Sequence, residues 1–230
     1  MRRVARILAR LLIAAGVLVL AWVIVVWQWQ DPFTAIYTHI QQTHLEHRYE
    51  RQVKAFHPHI EHGDPAAVEK EVAAAAAAYR RTLHTGDPVG RLRIGRIGLS
   101  MMVVQGTDDE TLKKGPGHYE ASYVPGQGHL IYVAGHRTTY LAPFADINDI
   151  RVGDYVTFSV PYGTFTYRVR RHYIVPATQL SVLKDDGREI LRLQACHPRF
   201  FATHRYIVDA ALVAVAPRGA AAYTVKPAAS

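Results

Sequence analysis

Hydrophobic and polar residues follow three different patterns along this chain of 230 residues. Residues 11–30 form an uncharged apolar run, residues 31–88 carry apolar residues at helical spacing, and from Gly90 onward apolar residues recur at every second position. Side chains share a face every 3.6 residues in a helix and every second residue in a strand. The chain is therefore predicted to contain an N-terminal apolar helix, a helical segment and a β-rich domain.

The apolar run from Leu11 to Gln30 is long enough to cross a bilayer, since about 20 helical residues span about 30 Å. Arginines precede this run and tryptophans crowd its distal end, which predicts a single-pass protein of the cell membrane with a cytoplasmic N-terminus and an extracellular remainder. A cleaved signal peptide is the alternative, but no small-x-small cleavage site follows at Gln28 to Phe33. The arginines before the run are Arg2, Arg3, Arg6 and Arg10, and the tryptophans in its second half are Trp22, Trp27 and Trp29.

Residues 31–89 are predicted to form a helical stalk or linker. Apolar residues between Phe33 and Ile40 recur at i, i+3, i+4 and i+7. Further on, Asp64 followed by Pro65 is typical of an N-cap and first helical residue, and the helix would run through the alanines at 73–78. An alanine run forms a helix readily but has little to bury, so this segment is interpreted as a spacer between membrane and domain.

Residues 90–215 are predicted to form one all-β domain. Seven or eight short alternating runs are separated by Gly, Pro, Asn or Asp turns, which indicates a closed or nearly closed barrel or a sandwich. Thr107 and Glu110 have capping-box spacing and predict a short helical turn. The chain would thus divide into residues 1–30 as basic N-terminus and anchor, the stalk, this domain and a disordered tail at 216–230.

Charge and cysteine content narrow the class of protein. The net charge of +8 does not indicate nucleic-acid binding, because half of it precedes the apolar run and the rest lies between strands without a basic cluster. Cys196 is the only cysteine, so no internal disulfide can form. Its thiol is either inert and buried, reactive, or half of an intermolecular pair.

Three residues with catalytic chemistry lie at predicted strand ends. His136 closes HLIYVAGH, Cys196 closes EILRLQAC and Arg205 opens RYIVDAAL. In antiparallel neighbours the end of one strand lies beside the start of the next, so Cys196 and Arg205 are expected to be close. A cysteine that attacks a carbonyl needs an acid/base partner and a group that holds the oxyanion. His197 is a rival base, but adjacent side chains in a strand point to opposite faces, which favours His136.

Around these residues the chain resembles the sortases, the membrane-anchored cysteine transpeptidases of Gram-positive cell surfaces, and most closely the class E group. The matching words are LKKGPGHY at 112–119, VAGHRTTYLAPF at 133–144 and ACHPRFFATHRYIV at 195–208. They lie in the expected order, and the resemblance covers about residues 90–215.

The resemblance implies an eight-stranded β-barrel with a catalytic triad at the edge of a groove. Cys196 would be the nucleophile, His136 the general acid/base and Arg205 the stabiliser of the oxyanion. Ala134, two residues before the histidine, and Ala195, directly before the cysteine, would contribute to substrate binding. The family usually has threonine at the latter position, so this chain lacks a hydroxyl beside the nucleophile, which bears on its preference among sorting signals.

The activity implied by the resemblance is transpeptidation. The enzyme would cleave a C-terminal sorting signal of Leu-Ala-x-Thr-Gly or Leu-Pro-x-Thr-Gly type after threonine and transfer the acyl group of a secreted protein to an amine of a cell-wall precursor or a pilin. No metal or organic cofactor is expected, and Asp185 and Asp186 in the KDDG turn are interpreted as solvated rather than as calcium ligands. The alternatives are a cysteine hydrolase that passes the acyl group to water and a non-catalytic, membrane-tethered barrel that binds wall peptides.

Overall fold

The computed structural model describes residues 2–29, 32–58, 60 and 63–225. Within these residues there are three longer helices, α1 (Arg2–Trp29), α2 (Pro32–Ala55) and α3 (Pro65–Thr82), and a one-turn helix, α4 (Asp109–Leu112). Short 3₁₀ turns lie at Gly95–Ile97, Ile147–Asp149 and Leu180–Leu183. The strands of the described part are β1 (Pro88–Ile94), β2 (Leu99–Gln105), β3 (Gly117–His118), β4 (Leu130–Gly135), β5 (Tyr155–Val160), β6 (Gly163–Pro176), β7 (Ile190–His197), β8 (His204–Pro217) and β9 (Tyr223–Thr224).

The strands form one sheet that closes on itself. Their order is β6-β5-β1-β2-β3-β4-β7-β8-β9, and β6 also pairs with β8. This second pairing closes β1 to β8 into an eight-stranded barrel, which confirms the predicted fold class. The β2–β3 and β4–β7 pairs are parallel, whereas the other neighbours are antiparallel.

The barrel interior is filled by every second side chain of each strand. This is the packing that the alternating sequence pattern predicts, because successive strand residues face opposite sides of a sheet. Burying each such aliphatic side chain contributes roughly 1.5–3 kcal/mol to stability. The fully buried residues on the three strands that carry the site include Ile131, Val133, Leu191, Leu193, Val208 and Ala210.

Helix α3 packs into the same core as the barrel. Asp64 caps the helix and Pro65 begins it, as predicted. Val72 and Tyr79 are 1% exposed, and the Tyr79 hydroxyl donates to the carbonyl oxygen of Val89 at 3.0 Å. The expectation that the alanine run has little to bury is therefore wrong. Small side chains allow the helix to approach the sheet, and valines and tyrosine at helical spacing supply its apolar face.

Helix α2 is also docked on the barrel rather than free in solvent. The Gln42 amide extends the edge of β2: its Nε2 donates to the carbonyl oxygens of Met102 at 3.0 Å and Lys114 at 2.7 Å, and its Oε1 accepts from the Met102 N–H at 2.7 Å. The Tyr49 hydroxyl donates to the Ser159 carbonyl oxygen at 3.1 Å. The segment between α1 and the barrel is therefore held against the domain by side-chain contacts, which a free stalk would not make.

The two ends of the chain differ in how they relate to the barrel. Helix α1 contains a 22-residue stretch, Arg3–Ile24, with a mean hydropathy of 2.6 that is not buried against the protein, so it has the length and composition to cross a membrane. At the other end, β9 pairs with β8, and the Arg218 N–H donates to the Tyr162 carbonyl oxygen at 2.9 Å. The expectation of disorder is therefore wrong for residues 216–225, and residues 226–230 lie outside the described part.

The short helix α4 begins with a different cap from the one predicted. Asp108, rather than Thr107, accepts a hydrogen bond from the Thr111 N–H at 3.0 Å and another from its hydroxyl at 2.6 Å. These bonds lower the pKa of Asp108. Aspartate is favoured at an N-cap at least as strongly as threonine, so the capping-box spacing alone could not decide between Asp108 and Thr107.

A histidine of β3 is buried against β2 and the loop that precedes β4. His118 is fully buried, its Nδ1 lies 2.8 Å from Gln105 Oε1 and its Nε2 lies 2.8 Å from the Tyr123 carbonyl oxygen. Burial lowers the pKa of His118 from 6.5 to about 4. The neutral ring is therefore the form that the fold accommodates.

The free energy of unfolding is predicted to fall as the pH is lowered from about 6.5 to about 4, by about 3 kcal/mol from His118 alone. The unfolded chain takes up the proton at the higher pH, whereas the folded chain resists it down to the lower one, and the loss levels off below that. Urea unfolding of the full chain in detergent micelles across this range measures the slope. The variant His118→Gln should flatten it, whereas His84→Gln, at an exposed position, should leave it unchanged. An unaltered slope in His118→Gln would contradict the assignment.

Candidate active site

Two parallel strands end at the same edge of the barrel and deliver the predicted base and nucleophile. The β4–β7 register pairs Gly135 with Ala195, so the next residues, His136 and Cys196, leave neighbouring strand ends side by side. β8 runs back along β7, and Cys196 is paired directly with Arg205. Neighbouring strands lie about 4.8 Å apart, so the three candidates occupy three adjacent positions in one row.

The alternation of side chains places these residues on the outer face of the sheet. In β7, Leu193 and Ala195 face the interior core, and Cys196 therefore faces outward and is half-buried. In β8, Tyr206 belongs to the interior core, so Arg205 lies on the same outer side as the cysteine. In β4, Ala134 faces outward, and His136 lies two residues later and therefore faces the same side. The sulfur, the imidazole and the guanidinium thus share one face.

An apolar floor leads along this outer face to the cysteine. Tyr132 and Ala134 of β4, together with Val175, Val182 and Ile207, form a second cluster separate from the barrel interior. Ala134 is 6% exposed within this cluster. Val182 belongs to the 3₁₀ turn Leu180–Leu183, the covering turn, which packs on the same cluster.

The covering turn is held by an ion pair that the sequence analysis did not find. The Arg192 Nη1 donates to the Val182 carbonyl oxygen at 2.5 Å, and its Nε donates to an Asp209 carboxylate oxygen at 2.6 Å. Both charged groups are buried, and Arg171 also pairs with Asp209 at 2.9 Å. An arginine and an aspartate at polar positions inside two predicted strands were the only sequence signal for this support.

Ala195 occupies a different place from the predicted one. Its methyl group is fully buried in the barrel interior, on the opposite face from Ala134 and Cys196. A side chain in that position packs against the core, and this placement argues against direct contact with a substrate.

Arg137 braces the backbone around the nucleophile and was also missed. It is 7% exposed; its Nη1 donates to the Cys196 carbonyl oxygen at 3.2 Å, its Nε to the Ala145 carbonyl oxygen at 3.3 Å and its Nη2 to Asn148 Oδ1 at 2.5 Å. The guanidinium therefore joins the segment that follows β4 to the last residues of β7. A charged residue directly after the histidine was its only signal, and arginines in such positions are usually solvated.

His197, the rival base, is engaged by the same arginine. Its Nδ1 lies 3.0 Å from the Arg137 Nη1 and must act as the acceptor, because an arginine can only donate. Burial, followed by the charges of Arg137 and His204, lowers the pKa of His197. This nitrogen is therefore occupied and neutral, which leaves His136 as the better placed acid/base.

The imidazole of His136 contains a buried nitrogen without a partner. Among the described side chains, its Nε2 is inaccessible to solvent and forms no hydrogen bond, so it is not bonded to the Cys196 sulfur in this structure. Burial lowers the pKa of His136, and the charge of Asp109 opposes that shift. An unsatisfied buried polar atom costs free energy and is characteristic of sites where a substrate group completes the bonding.

Arg205 is oriented by the loop that joins β7 and β8. Its Nη1 donates to the carbonyl oxygens of Ala202 at 2.7 Å and His204 at 3.0 Å. Within residues 63–225 no carboxylate forms an ion pair with this guanidinium. A charged group held by backbone carbonyls and not neutralised by an acid can stabilise a developing negative charge.

The described residues contain no group of three or more His, Cys, Asp and Glu side chains that could hold a metal ion. Asp185 accepts from His129 Nδ1 at 2.6 Å and from the Leu130 N–H at 3.1 Å, so it anchors the start of β4 rather than lying free in its turn.

Comparison with known proteins agrees with this closed barrel. The sequence model described as Sortase domain matches residues 92–213, which is more than half of the chain. The chain therefore belongs to the sortase family.

Three relatives illustrate the similarity. Sortase D of Bacillus subtilis (strain 168) is 34% identical over 128 residues, which are 54% of this chain and 63% of that protein, so the match spans less than two thirds of the relative's length. The structure of sortase E from Streptomyces avermitilis has a TM-score of 0.53 and 33% identity, and covers 58% of this chain and 93% of that one. The Clostridium perfringens Sortase D5 transpeptidase has a TM-score of 0.54 over 64% of this chain and 99% of that one; at 22% identity this similarity concerns the fold.

The variant Gly135→Ala is predicted to displace His136 while leaving the barrel folded. A Cβ at this position would lie 2.6 Å from Cδ2 of Phe144, and the Phe144 N–H donates to the His136 carbonyl oxygen at 3.1 Å. A displacement of a reacting group by about 1 Å can lower the rate of its reaction by about 100-fold. Peptide-cleavage kinetics measure the loss, and Gly95→Ala, where an added Cβ meets nothing within 4 Å, is the matched control. Equal rates in both variants would contradict the prediction.

Proposed function

We propose that this protein is a membrane-anchored cysteine transpeptidase of the class E type that cleaves a C-terminal sorting signal after threonine. The observation that carries the proposal is the pairing of the single thiol, Cys196, with Arg205 on one side and its position beside His136 on the other. Membership of the sortase family supports the reaction class. Sortase E from Streptomyces avermitilis is 33% identical and Sortase D of Bacillus subtilis is 34% identical, so the subgroup is proposed from the sequence words at 133–144 and 195–208 rather than from identity.

The first half-reaction forms a thioester. The Cys196 thiolate attacks the threonine carbonyl carbon, and the C–O π electrons move onto oxygen, where the permanently charged Arg205 guanidinium stabilises them. The C–N bond then breaks as the His136 imidazolium gives its proton to the departing glycine amine. The products are an acyl-enzyme thioester, a peptide with a free amine and neutral His136.

The second half-reaction consumes the thioester. An acceptor amine attacks its carbonyl carbon, neutral His136 takes the proton from the attacking nitrogen, and the C–S bond breaks to return the thiolate as the new amide forms. The unpartnered Nε2 of His136 supports this role, because proton exchange there breaks no hydrogen bond to the described residues. This atom is inaccessible to solvent, so the ring or a neighbouring side chain would move to admit the substrate amine. The energy of the cleaved amide is retained in the thioester, so the transfer needs no nucleotide.

The apolar outer floor would bind the residues of the signal before threonine. Tyr132, Ala134, Val182 and Ile207 lie in this cluster beside the row of catalytic candidates. Ala134, Val182 and Ile207 are small or aliphatic, and with the ring of Tyr132 they would suit a Leu-Ala-x-Thr-Gly signal. Movement of the Leu180–Leu183 turn, which carries Val182, would expose the other three. We infer that the acceptor is an amine of a cell-wall precursor or a pilin.

The proposed location follows from the N-terminal helix. Four arginines at positions 2–10 precede the uncharged run that begins at Leu11, and this asymmetry favours a cytoplasmic N-terminus with the barrel outside the cell. Tethering an enzyme to the membrane on which its substrates are presented raises its effective concentration.

The full chain in detergent micelles is predicted to convert a Leu-Ala-x-Thr-Gly peptide into an amine conjugate through Cys196. Mass spectrometry with and without an amine acceptor measures the products. Cys196→Ala should give neither cleavage nor conjugate, and Arg205→Lys should lower kcat by about 100-fold because the planar fork is lost although the charge remains.

Arg96→Lys, on the barrel surface and paired with Asp154, is the matched control and should behave as the wild type. Exclusive release of the free acid at saturating amine would assign a cysteine hydrolase instead. Near-normal turnover by Arg205→Lys would make the arginine structural. If Cys196 reacted with neither the peptide nor thiol reagents, the protein would instead be a non-catalytic module that binds wall peptides.

A further inference from the structure

The loop that follows His136 is tied to the helix that follows the apolar N-terminal segment. The backbone N–H of Tyr140 donates to Thr34 Oγ1 at 3.1 Å, and the Tyr140 ring meets the ring of Tyr37 edge-on, with centroids 6.5 Å apart and planes at 74°. Both partners lie in the first two turns of α2. One turn further along the helix, the Thr38 hydroxyl donates to the Lys113 carbonyl oxygen at 2.8 Å, which fixes this end of α2 to the barrel.

The same tyrosine packs on the candidate acid/base. The rings of Tyr140 and His136 have centroids 5.3 Å apart and an interplanar angle of 35°. Because the His136 Nε2 has no hydrogen-bond partner, no bond from this nitrogen to the protein sets the orientation of the imidazole. Ring packing therefore takes a large part in holding it.

The backbone conformation of the loop at residues 140–142 costs free energy. Tyr140, Leu141 and Ala142 have φ values of 55°, 59° and 36°, in the left-handed region that non-glycine residues avoid at roughly 1–2 kcal/mol each. Such a run persists only when surrounding contacts determine it. Inside the loop the Ala142 N–H donates to the Thr139 carbonyl oxygen at 2.8 Å, and the contact from Thr34 is supplied from outside.

We propose that Tyr140 is a positioning residue for His136, and that α2 holds Tyr140 in place through Thr34 and Tyr37. The consequence for proton transfer rests on the proposed function, whereas the packing itself does not. The segment predicted to be a spacer would then be a working support of the active site, and loss of its contact would lower the rate of proton transfer without removing any reacting group.

The electrostatic surroundings of His136 define what a change at Tyr140 would do. The titratable groups around the imidazole include Asp109 of α4, whose charge raises the pKa of His136, and Tyr140, which lies near Lys113 and Tyr37. Cys196 and Arg205 lie on the neighbouring strands. Burial is the larger influence and lowers the pKa of His136. Removing the tyrosine ring would admit water to the imidazole, and the pKa would rise toward its ordinary value.

Steady-state kinetics of the full chain in detergent micelles test the proposal with four variants. Tyr140→Ala should lower kcat by about tenfold with KM changed by less than about twofold, and should move the His136 limb of the kcat/KM pH profile to higher pH. Tyr140→Phe keeps the ring, so kcat and the pH limb should both stay at their wild-type values. Thr34→Val keeps the side-chain shape but removes the acceptor and should shift both in the same direction as Tyr140→Ala, by a smaller amount.

Thr43→Val is the matched control on the same helix, because the Thr43 hydroxyl donates to the His39 carbonyl oxygen within α2. It should leave kcat and the pH profile unchanged. A merely structural role for Tyr140 would reduce the amount of folded enzyme without moving the pH limb. An unmoved limb in Tyr140→Ala, or equal effects of Thr34→Val and Thr43→Val, would overturn the proposal.

An NMR titration separates this inference from the proposed activity. The imidazole signal of His136, assigned by its loss in His136→Gln, reports the pKa without any substrate. If the wild type fails to join peptide and amine but Tyr140→Ala still raises the pKa of His136, the proposed function fails and the packing inference stands. If the wild type is active and the titration is the same in both proteins, the packing inference fails alone.

Discussion

The in-register parallel pairing of β4 with β7 is the contact on which the active site depends. Strand side chains alternate between two faces, so a slip of one residue would turn Cys196 into the barrel interior and expose Ala195. The interior resists such a slip, because Leu191, Leu193 and Ala195 are fully buried there. Hydrophobic packing on one face of β7 thereby fixes the chemistry on the other.

Support for the site is distributed around this strand edge. Arg137 joins the segment that follows β4 to the end of β7, and the Arg192–Asp209 pair holds the turn that packs on the apolar floor. Helix α2 reaches the loop beside His136 through Thr34. The groups that would react are thus carried on a closed sheet, and the groups that orient them come from loops and a helix packed on its outside.

Much of this arrangement could be predicted from the sequence because it follows from alternation. Strand ends marked by turns located His136, Cys196 and Arg205, and the antiparallel return predicted the pairing of the last two, which the structure places in register. The same alternation contained the information that Ala195 faces the core, since it continues the parity of Leu193. The packing of α3 and the role of Arg137 could not be predicted, because alanine and arginine have the same local signal whether they meet solvent or a distant segment.

The central claim is that the thiol, the imidazole and the guanidinium act on one carbonyl group at this edge. A crystal structure of the chain with Cys196 covalently joined to a sorting-signal peptide at its threonine tests it most directly. The account predicts the former carbonyl oxygen within about 3 Å of an Arg205 nitrogen and the His136 Nε2 facing the leaving-group position. An oxygen directed away from Arg205, with the peptide lying off the outer face of β4 and β7, would contradict it.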